Sequence, residues 1–181
     1  MIAMLKECCD LLEQKKLKVA FVEKECCDLL EQKKMKVAFV ESASSGYLSS
    51  QFSLYKECSA QILLGGLVCY DANLKMSILG VPQDLIDKYS PESTEVTNVL
   101  AITGQKLFQE ADLIVACTGL LKPGGSECKE KPVGTFFVSV FYKGQTYDYR
   151  YLIDGTPEER LDILTEQIAD QMMDLIDSKT A

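Results

Sequence analysis

The feature that most limits the fold of this chain is an alternation of short, wholly apolar runs with longer segments of helical spacing. MKVAFV (35–40) and LIVAC (113–117) are too short for buried helices and read as strands covered on both faces. CCDLLEQKK (26–34) precedes the first, with Cys26, Leu29 and Leu30 on one helical face. Residues 46–54 read as a helix with Leu48 and Phe52 inward. SAQILLGGLVCY (59–70) reads as a long apolar strand interrupted by Gly65 and Gly66, and residues 73–79 as a short helix. Ser90 and Pro91 offer an N-cap and first position for a helix running to about Glu110. GTFFVSVFYKGQTYDYRYLI (134–153) reads as a hairpin turning at Lys143-Gly144. Thr156, Pro157 and Glu159 form a capping box for a last helix, whose inward stripe is Leu161, Leu164, Ile168, Met172 and Leu175. The implied class is α/β: a three-layer α/β/α sandwich with a mixed sheet.

Residues 6–23 and 24–41 are two copies of one block, differing only at Leu17 and Met35. The repeat does not continue after Glu41, which excludes a solenoid. The second copy runs directly into a serine-rich turn and takes the native role. The expected division is therefore an extra segment at 1–23 and one domain at 24–181. The first copy is expected to add a helix and strand, to extend a helix, or to pack poorly.

Several function classes fall away on composition. No apolar run approaches the roughly 20 residues of a membrane span. The N-terminus MIAMLKECCD turns charged too soon for a signal peptide. A soluble, cytoplasmic protein is expected. A net charge of −8 argues against a nucleic-acid surface. The eight cysteines include two adjacent Cys-Cys pairs rather than C-x-x-C spacings, and the chain has no histidine. No metal site or cofactor is expected; the thiols read as reduced, with Cys69 and Cys117 in the core. A homo-oligomer remains open.

Three stretches carry candidate chemistry. In Glu41-Ser42-Ala43-Ser44-Ser45-Gly46 a strand hands over to a helix, so backbone N–H groups face outward at a positive helix end. A serine there is either an N-cap or a nucleophile whose oxyanion those amides hold. Without histidine, a serine nucleophile must take its base from Lys, Tyr, Asp or Glu. GGLVCYDANLK supplies Tyr70 and Lys75 just beyond the next main strand, where they read as catalytic partners or as a packed tyrosine and a surface lysine. In CTGLLKPGGSECKEKPVGT, Thr118 follows a buried strand, and Gly124 and Gly125 let backbone approach a ligand. This loop has neither a Walker pattern nor G-x-G-x-x-G.

Together these stretches resemble the C-terminal domain of the competence/damage-inducible protein CinA, the nicotinamide-nucleotide amidase family. The blocks are V-E-S-A-S-S-G, G-G-L-V-C-Y-D-A-N-L-K-M-S-I-L-G-V, T-G-L-L-K-P-G-G and K-P-V-G-T, within residues 24–178. The resemblance implies hydrolysis of the carboxamide of nicotinamide mononucleotide, a small-molecule nucleotide substrate, to the carboxylate and ammonia. By position, Ser42 would be the nucleophile and Lys75 its base. Tyr70 would assist proton movement or orient the lysine. Ser44, Ser45, Gly46, Thr118, Gly124, Gly125 and Thr135 would hold the ligand or shape its pocket. The chain departs from the family pattern at Ala72, where asparagine is usual, and at Lys122, where glycine is usual. Gly155-Thr156-Pro157 lacks an arginine usual in the family, for which Arg160, one turn on, would compensate in substrate binding. These departures motivate an alternative: a catalytically weak or inactive homologue that binds a nucleotide or a protein.

Overall fold

A computed structural model describes residues 22–55 and 59–178. Its elements are helix α1, described over residues 22–33, strand β1 (Val37–Glu41), α2 (Tyr47–Leu54), β2 (Leu63–Val68), α3 (Ala72–Leu79) and α4 (Gln83–Tyr89). They continue with α5 (Thr94–Leu107), β3 (Leu113–Gly119), β4 (Thr135–Tyr142), β5 (Gln145–Leu152) and α6 (Pro157–Asp177). The five strands form one sheet in the order β2-β1-β3-β4-β5. β1 pairs in parallel with β2 and β3, whereas β3–β4 and β4–β5 are antiparallel, so the sheet is mixed.

Both faces are packed, because side chains alternate along each strand. Val37, Phe39, Leu113, Val115, Phe136 and Val138 meet α1, α2 and α6 on one side. Ala38, Val40, Ile114 and Ala116 meet α3, α4 and α5 on the other. The expected three-layer α/β/α sandwich is the observed architecture. Cys26, Cys27, Cys69 and Cys117 are buried as small core residues. No helix of the described residues is long and apolar enough to cross a membrane. Apart from Val22 and Glu23, which lie in α1, the first repeat copy falls outside the described residues.

The structure alters three expectations. Ser59–Gln61 form a 3-10 turn, and only Leu63–Val68 pair as β2, an edge strand that stays half exposed. Ser90 does not cap α5. It closes α4, an element the sequence reading overlooked, with φ +72° and its N–H on the Ile86 carbonyl. The N-cap of α5 is Ser93, which accepts from the Val96 N–H, and the helix stops at Leu107 rather than near Glu110. By contrast, the turn at Lys143-Gly144 has both φ values positive, as a two-residue hairpin requires. The Thr156–Glu159 capping box is complete in both directions.

Topology places the site. From β1 the chain moves out to β2, then returns past β1 to β3, so strand order reverses beside β1. Register aligns Glu41 with Val68 on one side and Cys117 on the other. Ser42, Cys69 and Thr118 therefore leave their strands at one level, at the carboxyl ends, where open α/β sheets bind ligands.

Candidate active site

The turn after β1 is built around Glu41, fully buried. One carboxylate oxygen accepts from the N–H groups of Gly46 (2.9 Å) and Leu48 (3.1 Å). The other accepts from the N–H (2.9 Å) and hydroxyl (2.7 Å) of Ser49. An acid from the preceding strand thus satisfies the orphan amides at the start of α2, since Gly46 has no side chain to do so. Gly46 itself sits at φ +93°, a left-handed conformation suited to glycine. The Ser42 N–H donates to the Cys117 carbonyl, Ser45 N–H to the Ser42 carbonyl, and Tyr47 N–H to the Ser44 carbonyl. Of the amides from Ser42 to Ser49, those of Ala43 and Ser44 are left for a ligand.

Lys75 reaches this turn from α3. Asp71 caps that helix by accepting from the Asn73 N–H, and its first turn carries Lys75 beneath the ends of β1 and β2. The amine donates to Ser42 Oγ at 3.0 Å, to the Cys69 carbonyl at 3.0 Å and to the Tyr70 carbonyl at 3.3 Å. Lys75 is 0 % exposed and Ser42 is 4 % exposed. Burial lowers the lysine pKa from its ordinary value, against the opposing pull of Cys69, Glu92 and Asp71. The arrangement can take a proton from the serine hydroxyl and return it.

A cleft of about 210 Å³ opens over Ser42 and Ala43. Tyr70 and Glu92 border it, and Gly119 to Gly125 form its opposite wall. A larger hollow of about 650 Å³ lies at the other end of the sheet, beside Met35, Asp112 and Lys143. It has no serine, cysteine or threonine among its lining residues, so of these two the smaller cleft is the one lined by a hydroxyl side chain, Ser42.

Other residues singled out in the sequence fall on both sides of this wall. Gly124 and Gly125 line the cleft with positive φ. The Tyr70 ring lines it and is 69 % exposed, while its carbonyl meets Lys75. Ser45 turns its hydroxyl back to the Ser42 carbonyl at 3.3 Å. Ser44 Oγ is buried without a well-formed hydrogen bond; it lies against the Cys117 thiol, whose pKa burial pushes up and Ser44 draws back down. Thr118 Oγ1 pairs with Thr97 Oγ1 at 2.7 Å behind the cleft, tying β3 to α5. Thr135 Oγ1 is buried and unpartnered, also off the cleft. Arg160 donates from Nε to the Ile153 carbonyl (3.1 Å) and from Nη1 to the Leu121 carbonyl (2.9 Å). It braces the loop from behind and does not line the cleft.

Sequence reasoning missed Glu41 as the organiser of the turn, and missed a cluster around Lys131. The Lys131 amine donates to Ser90 Oγ (2.5 Å), to the Glu92 carbonyl (2.7 Å) and to Ser126 Oγ. These contacts join the loop after β3 to the α4–α5 connection. A lysine before Pro-Val-Gly-Thr was the only signal for them.

The fold and this buried serine–lysine pair define an α/β domain with a serine-bearing turn at a topological switch point. Residues 19–179 match the CinA C-terminal domain, and the chain belongs to that family. A CinA-like protein from Prochlorococcus marinus (subsp. pastoris) is 36% identical over 99 residues, 55% of this chain and 22% of the relative. One from Thermotoga neapolitana is 35% identical over 114 residues, 63% of this chain and 27% of the relative. The matched region is thus about a quarter of those longer proteins. Among solved structures, a competence or damage-inducible protein from Enterobacter asburiae superposes with a TM-score of 0.80 at 22% identity, covering 87% of this chain and 98% of the other. A CinA superfamily protein from Escherichia coli gives 0.79 at 25% identity, covering 87% and 90%.

Proposed function

We propose that this chain hydrolyses the carboxamide of nicotinamide mononucleotide, or of a closely related pyridine nucleotide, through Ser42 with Lys75 as its base. The observation that carries this reading is the 3.0 Å contact between the buried Lys75 amine and Ser42 Oγ at the floor of the cleft. Uncharged Lys75 takes the hydroxyl proton as Ser42 Oγ attacks the carboxamide carbon. The oxyanion forms beside the two uncommitted amides, Ala43 and Ser44. Lys75, now an ammonium, gives its proton to the departing amide nitrogen; the C–N bond breaks, ammonia leaves, and an ester to Ser42 remains. Water then attacks the ester carbon and passes its proton to Lys75. Collapse releases the carboxylate and restores both side chains. The Cys69 and Tyr70 carbonyls aim the amine at Ser42 throughout.

Ammonia release from nicotinamide mononucleotide, measured beside a Ser42→Ala control, tests the reading. Turnover is expected in the unaltered chain and its loss in the control. Equal rates in both would remove Ser42 from the mechanism. No release from the unaltered chain, with binding retained, would favour the alternative of a nucleotide-binding homologue without turnover.

A further inference from the structure

The duplicated block plays no part in the site as described. Its two copies, residues 6–23 and 24–41, differ only at Leu17 and Met35. The fold uses the second copy in full. Cys26, Cys27 and Leu30 of α1 join Val37 and Phe39 of β1 in one core cluster. Phe39 is fully buried, its ring 5.0 Å from that of Phe52. Each of these residues recurs in the first copy, as Cys8, Cys9, Leu12, Val19 and Phe21. Met35 is half-buried on the rim of the cluster, where leucine is a volume-conserving exchange. Main-chain bonds hold β1 in place, among them Val37 N–H to the Ile62 carbonyl and Cys69 N–H to the Glu41 carbonyl, and these carry no side-chain preference. The packing and pairing of the strand therefore suit either copy.

Two differences set the balance between the copies. Ser42 follows the second copy and accepts from Lys75 at 3.0 Å, whereas Lys24 follows the first and would bring a second ammonium towards Lys75. On the other side, Glu23 is buried in α1 with neither carboxylate oxygen in a well-formed hydrogen bond. Its counterpart Glu41 accepts from Gly46, Leu48 and Ser49. With the first copy in the strand position, Glu23 gains those same donors. Residues 24–41 then become part of a longer connection between the strand and α2, whose entropic cost grows only slowly with length.

We propose that the central strand position of this sheet accepts either copy, so that the chain has two folded forms. In one, as in the structure, Ser42 directly follows the strand. In the other, residues 18–23 fill the position, Val22 and Glu23 pass from helix to strand, and strand pairing no longer fixes Ser42 beside Lys75. The first copy is a spare strand that keeps the fold while dismantling the serine–lysine pair. The two forms exist whether or not the cleft is an amidase.

Thiol alkylation in native buffer tests this, in a Cys8→Ala/Cys9→Ala protein where Cys26 and Cys27 report the second copy alone. Adding Phe39→Asp puts a charge into the core position of that copy. The variant should still unfold in one cooperative urea transition and keep Cys69 and Cys117 protected, while Cys26 and Cys27 react at least about tenfold faster. Phe21→Asp should leave Cys26 and Cys27 protected, and the two aspartates together should unfold the chain. A milder pair removes dependence on one drastic variant: Phe39→Ala should lower the urea midpoint about half as far in the otherwise unaltered chain as in a Phe21→Asp chain. Exposure of Cys69 and Cys117 by Phe39→Asp alone would overturn the proposal. So would a folded Phe39→Asp protein with Cys26 and Cys27 still protected, a folded double variant, or equal losses from Phe39→Ala in the two chains.

Discussion

The amine of Lys75 and the hydroxyl of Ser42 stand 3.0 Å apart in a site nearly closed to solvent, although 33 residues separate them in the chain. Burial disfavours the ammonium and lowers the lysine pKa from its ordinary 10.5. The base is the uncharged form, which gains population as pH rises. The kcat/KM for ammonia release should therefore climb with pH and level off below 10.5. Lys75→Met should abolish the rise and lower kcat by roughly 10²- to 10⁴-fold while binding stays nearly intact. A rise that survives unchanged in Lys75→Met would exclude lysine as the base. Collapse of binding in Lys75→Met would make it a ligand clamp instead.

Tyr70 offers Lys75 a carbonyl at 3.3 Å, while its ring is 69 % exposed at the cleft. The two roles separate on substitution. Tyr70→Phe keeps the carbonyl and the π face, so kcat should stay within about threefold of the original. Tyr70→Ala keeps the carbonyl but removes the ring, and should raise KM for a cationic carboxamide more than it lowers kcat. A large fall in kcat with Tyr70→Phe would put the phenol on the proton path.

Strands were the most legible part of this sequence, because runs such as LIVAC permit little else between two helical layers. The serine-rich corner and the glycine loop were legible as motifs. What escaped were contacts between elements. Nothing in local spacing says that Lys131 will bind Ser90, or that Thr118 will pair with Thr97. Ser90-Pro91 looked like a helix start because Ser favours N-caps. Tertiary structure instead used Ser90 to end α4 and gave the cap to Ser93. The repeat makes the same point. In one copy of KVAFVE the final Val22-Glu23 pair is helical; in the other, Val40-Glu41 ends a strand. The second copy lies between two partner strands, β2 and β3, and that pairing outweighs local preference.

Glu41 anchors the turn that presents Ser42, since its carboxylate accepts three amides and a hydroxyl from the start of α2. Glu41→Ala would strand those donors in a buried site. It should cost about 2–4 kcal/mol of stability in urea denaturation and abolish turnover. Glu41→Gln keeps one good acceptor and should lose roughly half as much. A Glu41→Ala protein as stable as the original would show that the helix start needs no such cap.

Glu23 poses the opposite case to Glu41, the residue at the matching place in the other repeat copy. It is buried in α1, and neither carboxylate oxygen has a well-formed hydrogen bond. Burial raises its pKa from 4.5 to about 7; the nearby Tyr55 hydroxyl favours the charge, and Asp162 and Glu166 of α6 oppose it. The native state therefore holds a proton that the unfolded chain releases near pH 4.5. The neutral side chain costs nothing in charge burial below that pH. From there to about 7 the folded state loses stability as pH rises, and above it the full penalty of roughly 3 kcal/mol is present. Glu23→Gln carries no titrating group, so its advantage over the original chain should be absent at low pH and grow through that window. Urea midpoints for both proteins across the range give the answer. An advantage that stays constant with pH would mean that Glu23 titrates as it does in the unfolded chain, and that α1 packs over it without the cost assigned here.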